Sequence, residues 1–356
     1  MSSPSNTIGY DDHSYASPSK MEPPSDATGV MASSNSQLSS PHNLPKEAYA
    51  PHDPAAAPEY HEATWSQESR CGLPPISLLS TCEEMNPSKR SSFEDCSIYA
   101  PSGTWNAPDE NMAFLAIADG HGGRDIVEFL EDGLLYHVSH ELQINESDAN
   151  GSIPERLERS FLMADIHSKA LGLMNSGATV AVCLITRGHD IYKENAQGSD
   201  EANGDEDNTW RIYAANAGDA RIVLGHGGKA HRMTKDHRTD DPDEVRRIEE
   251  SGGFVFKGRV LGILAVTRSL GDHCMKEYVI AKPYTSEKDV VITSEEETSF
   301  IILACDGLWD VFKDQEAVDF VLARIEERDQ VSKYLVAEAL KRGSTDNITV
   351  SVAFLV

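Results

Sequence analysis

Positive charge, clustered cysteine and long apolar runs are what this chain lacks. No apolar stretch approaches the roughly 20 residues needed to span a bilayer, and the N-terminus has no charged segment leading into an apolar one. Neither a membrane helix nor a secretory leader is therefore expected. Arginine is missing until Arg70, which argues against an Arg-rich organellar targeting segment. The six cysteines, Cys71, Cys82, Cys96, Cys183, Cys274 and Cys305, form no CxxC or CxH cluster. That excludes a zinc finger and leaves no disulfide framework, so a reducing compartment is expected. Lys and Arg number 31 against 58 Asp and Glu, for a formal net charge of -27. Nucleic acid and anionic membranes are thereby excluded as default partners. With no dense Lys/Arg run, the expected location is cytoplasmic, and a nuclear pool requires a partner or diffusion. A monomer is expected. Asn145, Asn150 and Asn347 match the glycosylation pattern, which means nothing without secretion.

Residues 1–80 are rich in Ser, Pro, Ala and Asn with no apolar period, and read as a disordered tail. Ser3-Pro4, Ser17-Pro18 and Ser40-Pro41 are pairs that proline-directed kinases modify, although any Ser/Pro-rich tail contains such pairs. The aromatic residues between Tyr49 and Trp65 are open to the same two readings, a docking segment or plain tail.

From residue 81 to 356 the pattern is that of one folded domain. Apolar, β-branched runs at 114–118, 179–185, 210–215, 221–224, 260–266, 300–305 and 347–356 predict strands. Helical periodicity marks 123–141, 154–173, 242–251, 314–325 and 332–342. Two helix starts carry the capping-box pattern, Ser152 with Glu155 and Asp241 with Glu244, the second with Pro242 at the first helical position. Gly252 and Gly343 suit helix C-caps. Strands follow one another too often for a βαβ repeat, so the fold class is α+β with a packed sheet core. The acidic stretch 193–208 reads as a solvated hairpin insert, without the ligand and glycine spacing of an EF-hand.

The chemistry lies in the acidic residues that stand where apolar runs stop or start. They are Glu94-Asp95, Asp119-Gly120-His121-Gly122-Gly123, Asp306 and Asp310 after the 300–305 run, and Asp346 before the last one. Strand ends present side chains at one common edge. Carboxylates gathered there repel one another unless a cation lies among them. Hard oxygen ligands without Cys or a His-rich cluster select Mg²⁺ or Mn²⁺ over Zn²⁺. Two such ions about 3.5–4 Å apart share one hydroxide, which is a nucleophile at neutral pH.

In order, the residues fall into seven blocks. These are Arg90 with Glu94-Asp95, Asp119 to Gly123, Ser176-Gly177-Ala178-Thr179, Gly218-Asp219-Ala220-Arg221, the stretch 264–272, Ala304 to Asp310, and Ser344-Thr345-Asp346-Asn347. Together they resemble the metal-dependent protein phosphatases of type 2C, from about residue 85 to the C-terminus. The stretch 264–272, with the acidic insert, is most similar to short fungal members that restrain stress-activated MAP kinase pathways.

This resemblance implies a β-sandwich of two antiparallel sheets flanked by α-helices, with the metal centre at one end. It implies hydrolysis of phosphoserine and phosphothreonine in proteins, as a negative regulator of kinase signalling. Two Mg²⁺ or Mn²⁺ ions are implied, with a weaker third. By motif position, Asp119 bridges the ions, the Gly120 carbonyl joins one of them, and Asp306 and Asp346 hold the other. Glu94 and Asp95 grip metal-held waters, and Asp219 and Asp310, with Asp306, match the third site. Arg90 is the phosphate clamp and His121 the general acid. Ala178 and Ala220 stand where the family often has Ser, and neither position supplies a ligand. Residues 236–257 fall where the family carries a variable flap, with a charge pattern of their own.

Alternatives remain for single residues and for the whole chain. Asp272 reads equally as a neighbour of the metal site or as a turn residue after Gly271. Cys305, in an apolar run, reads as a buried small residue, and Lys89 as surface charge. His273-Cys274 would need an arginine six residues after the cysteine for cysteine-phosphatase chemistry, and that position is Ile280. No Gly-Asn-His-Glu motif occurs, which excludes another phosphatase class. A catalytically silent scaffold on the same fold is the competing reading, and the presence of Arg90, Asp95, Asp119, His121, Asp306 and Asp346 argues against it.

Overall fold

The computed structural model describes residues 74–144, 151–188, 209–292 and 298–356. The tail assigned to 1–80, up to residue 73, and the acidic insert at 193–208 lie outside the described residues. The first strand, β1 (Ile76–Glu84), nevertheless starts inside the stretch given to the tail. Its pattern of Ser, Thr and Glu among Leu hides the strand in sequence, yet Ile76 and Leu79 are buried.

Two antiparallel sheets carry the fold. One contains β2 (Asp95–Ala100), β3 (Ala113–His121), β4 (Gly177–Arg187), β5 (Thr209–Ala217) and β11 (Tyr284–Val291). Its order is β11-β5-β4-β3-β2, and β10 (Leu270–Gly271) pairs with β4. The other sheet is ordered β1-β13-β12-β6-β7, with β6 (Arg221–His226), β7 (Lys229–Arg232), β12 (Phe300–Ala304) and β13 (Ile348–Leu355). A small hairpin joins β8 (Val255–Phe256) to β9 (Arg259–Val260).

Alternation along β3 explains the layering. Phe114, Ala116 and Ala118 pack in one cluster with Ile126, Leu130 and Phe161 of the helices α1 (Asp125–Gln143) and α2 (Ile153–Ala170). Ala113, Leu115 and Ile117 face the opposite way, against Ile222, Leu303 and Ala353 of the second sheet. The second sheet's outer face is covered by α4 (Asp306–Trp309), α5 (Asp314–Leu322) and α6 (Val331–Lys341). Strands covered on both faces read as continuous apolar runs, and β13 is buried along its whole length. The α+β sandwich is as the sequence implied. No helix among the described residues is long and apolar enough to cross a membrane.

Local expectations mostly hold at the helix ends. Gly252 and Gly343 adopt φ of +84° and +90° after their helices, and Ser152 N–H donates to Glu155 at 2.8 Å. In α3 (Pro242–Glu250) the Asp241 side chain accepts from Asp243 N–H at 3.0 Å. Glu244 does not close the expected box. It turns inward and takes Arg268 Nη2 at 2.5 Å and Arg247 Nη2 at 2.9 Å, because two guanidinium partners outcompete one main-chain N–H.

The strand expected at 260–266 is also corrected. Only Val260 of it belongs to a strand, Arg259–Val260, with isolated bridges at Leu264 and Val266, and Leu261 and Gly262 take φ of +51° and +73°, which reverses the chain.

Candidate metal centre

The two sheets face each other so that acidic residues from separate strands meet at one end. Asp119 lies near the end of β3 and pairs across the ladder with Asp95 at the start of β2. Asp306 follows β12 as the first residue of α4, Asp346 precedes β13, and Asp219 sits in the turn that carries the chain from β5 to β6. That turn needs Gly218 at φ +106°. The carboxylate oxygens of Asp119, Asp219 and Asp306 lie within 4.8 Å of one another.

Such a group resists ionisation. Burial, then the charges of Asp95, Asp306 and Asp219, push Asp119 well above the usual carboxylate range. Burial, with Asp219, Asp310 and Asp346, does the same to Asp306. Asp95 is pushed up to about 7, chiefly by burial, although hydrogen bonds from Thr349 and Cys305 act against the shift. The Thr349 hydroxyl donates to Asp95 Oδ2 at 2.7 Å. Asp219 is raised by burial and drawn back by Arg238. The donor set is oxygen only and strongly negative, which fits hard divalent cations. Gly120 fits as well: a Cβ there would lie 2.4 Å from the Glu94 carbonyl oxygen and 2.5 Å from Val127 Cγ2, so only glycine places the main chain here.

The other expected residues stand around this group with partners of their own. Arg90, half exposed, bonds to the Asp346 carboxylate, and its Nε donates to the Thr345 carbonyl at 3.2 Å. Glu94 accepts from Gly123 N–H at 3.2 Å and from the Ser92 hydroxyl at 2.8 Å. Asp310 is 54% exposed and takes Arg238 Nη2 at 2.8 Å. His121 Nε2 lies 2.8 Å from Asp272 Oδ2. Cys305 is fully buried, and burial pushes its thiol far up, so it is inert as expected.

Arg238 escaped the sequence reading, and Asn347 and Asp272 were named there without a settled role. Arg238 Nε reaches Asp219 Oδ2 at 2.8 Å, and its Nη2 lies 3.5 Å from Asp306. No spacing signal marks it, since 236–257 reads as a variable segment. Asn347 accepts from Glu94 N–H at 2.9 Å and donates to the carbonyls of Met85 at 2.7 Å and Ser92 at 3.0 Å. It was quoted in a motif without a role. Asp272 meets both of its readings: it stands in the turn after Gly271 with φ +48°, and its carboxylate lies against His121.

A two-sheet sandwich flanked by helices, with a group of carboxylates able to hold a cation at one end and an arginine and a histidine beside it, is the arrangement of the metal-dependent protein phosphatases. The chain belongs to the protein phosphatase 2C family, whose pattern matches residues 82–348. It is 38% identical over 279 residues to protein phosphatase 2C homolog 1 of Saccharomyces cerevisiae, covering 78% of this chain and 93% of that protein. The protein of the same name from Schizosaccharomyces pombe is also 38% identical over 282 residues, covering 78% of this chain and 73% of that one. Among solved structures, a Caenorhabditis elegans sex-determining protein aligns with a TM-score of 0.63 at 25% identity, over 80% of this chain and 66% of that one. A Toxoplasma gondii phosphatase shares the fold with a TM-score of 0.62 at 22% identity, over 78% of this chain and 92% of that one.

Proposed function

We propose that this protein serine/threonine phosphatase works with two Mg²⁺ or Mn²⁺ ions held by Asp119, the Gly120 carbonyl, Asp306 and Asp346, and a weaker third at Asp219 and Asp310. When bound, the ions supply an acidified water as nucleophile and neutralise charge on the phosphoryl oxygens. Asp95 and Glu94 hold water in place, which is the use of carboxylates tied to Thr349 and to Gly123. Arg90, half exposed on the same edge, offers a planar fork to two phosphoryl oxygens. His121 gives a proton to the departing serine or threonine oxygen, a poor leaving group as an alkoxide. Water is split between the two products: the hydroxyl goes to phosphorus, and the amino-acid oxygen leaves protonated. The observation that supports this reading is the meeting of Asp119, Asp219 and Asp306 within 4.8 Å, with Asp346 outside that group and paired with Arg90.

The proposed role is restraint of kinase signalling, with phosphorylated stress-activated MAP kinases as the partner class. The likeness of 264–272 to the short fungal members supports it. The proposed setting is the cytoplasm, with access to the nucleus, and the working form is a monomer.

Hydrolysis of p-nitrophenyl phosphate by the purified chain, in EDTA, Mg²⁺ or Mn²⁺ and beside Asp306→Asn, tests the chemistry. Activity that requires a divalent ion and collapses in the variant is expected. A folded chain inactive with every divalent ion would instead be a binding module on this fold.

A further inference from the structure

Asp272 stands in a backbone conformation that a non-glycine residue rarely adopts, φ +48° and ψ +37°. Such outliers persist only where the surroundings over-determine them. Here its N–H donates to the Ser176 carbonyl at 2.9 Å, and the preceding Gly271 pairs with Gly177 across the β10–β4 ladder. Gly271 N–H also donates to Asp165 Oδ1 at 2.8 Å. Gly177 is at the same time the cross-strand partner of His121. A Cβ on Gly177 would lie 2.1 Å from Asp272 Oδ2 and 2.6 Å from His121 Nε2, so the missing side chain is the space in which the two meet.

Asp272 is buried, and its carboxylate also accepts from the Ser269 hydroxyl. Burial would raise this carboxyl, but bonds from His121 and Ser269, with the charge of Lys276, hold it below the usual range. An ionised carboxylate only accepts, so Nε2 is the nitrogen that donates across the 2.8 Å contact.

We propose that Asp272 is the positioning residue of His121: it fixes the ring by its Nε2–H and leaves Nδ1 as the nitrogen that delivers the proton to the departing alkoxide. In that step Nδ1 gives its proton to the leaving oxygen as the P–O bond breaks, and water later restores it. The contact keeps the ring oriented while its other face works. The proposal rests on the reading of His121 as general acid.

A comparison of leaving groups tests both readings. A nitrophenolate leaves readily without a proton, whereas a serine alkoxide does not. Asp272→Ala, Asp272→Asn and His121→Ala are assayed on p-nitrophenyl phosphate and on a phosphoserine peptide at saturating Mn²⁺, after thermal melts confirm folding. For Asp272→Ala, kcat on the peptide should fall about a hundredfold, the low end of general-acid effects. On p-nitrophenyl phosphate it should fall only a few-fold, with KM nearly unchanged on both. The pair His121→Ala/Asp272→Ala should lose no more than His121→Ala alone, as expected of residues acting as a unit. If His121→Ala separates the substrates and folded Asp272 variants depress both alike, or losses in the double variant multiply, the positioning role is overturned. If His121→Ala does not separate them, the general-acid reading itself fails.

Discussion

Arg238 Nε lies 2.8 Å from Asp219 Oδ2, so a side chain from the start of the 236–257 segment brings positive charge to a carboxylate on the turn between the sheets. The same guanidinium reaches Asp310 at 2.8 Å and Asp306 at 3.5 Å. It therefore stands among the three residues expected to hold the weaker cation, and a tethered cation competes with a free one.

Arg238→Gln should on that account bind divalent ions more tightly at the weaker position, by about tenfold if one charge–charge contact of roughly 1.4 kcal/mol is removed. Calorimetric titration with Mn²⁺ measures the affinity. In EDTA the variant should melt below wild type, and added Mn²⁺ should restore it by mass action. Unchanged affinity would mean that Arg238 and the ion do not share a place.

Asp306→Asn removes one of the crowded carboxylates. Its phosphatase activity should fall by roughly 10³-fold or more, since several kcal/mol of charge stabilisation depend on a held cation. Its melting temperature in EDTA should equal or exceed that of wild type, because repulsion is relieved. Mn²⁺ should raise the wild-type value much more than the variant's. A variant that melts well below wild type in EDTA would contradict repulsion at this site.

Glu244 predicts the acid behaviour of the segment it anchors. Burial would raise its carboxyl, but Arg268 and Arg247 outweigh burial and hold it at about 2. An unfolded Glu titrates near 4.3. A depressed carboxylate contributes stability above the unfolded value and loses it as pH falls through the folded one. The stability of wild type over Glu244→Gln, from urea titrations, should be full near pH 6 and shrink between about pH 4 and 2. A difference independent of pH would sink this account.

Asn347→Ala should cost about 1–3 kcal/mol, since it removes the side chain that ties the residue after Asp346 to the Glu94 N–H and to the Met85 and Ser92 carbonyls. Affinity for Mn²⁺ should fall with it by about 10–100-fold, the usual effect of losing a support behind metal ligands. Stability lost without any loss of metal affinity would separate Asn347 from the centre.

The site was legible wherever an apolar run ends in acid. The buried runs of β3 and β12 bring Asp119 and Asp306 into one group, and sequence reads such runs easily, whereas Asp346, before β13, is paired with Arg90 outside that group. β1 and β11 were not legible, since an edge strand such as Tyr284–Val291 is half exposed and carries Ser, Glu, Lys and Asp. Arg238 was hidden, and Asp272 was left between two readings, for another reason. Their roles arise from pairings across the fold, with Asp219 and His121, which no local spacing encodes. The run at 260–266 misled because Leu261 adopts a left-handed conformation that its side chain does not advertise.

The turn bearing Asp219 passes from one sheet to the other, and the remaining carboxylates are divided between the two. Whatever neutralises them therefore acts as a clasp on the open end of the sandwich. Starved of divalent ions, the protein should begin to come apart at its working end, with the distant strand edges failing later. Competence for turnover and resistance to unravelling would then rise and fall together with the supply of one small ion.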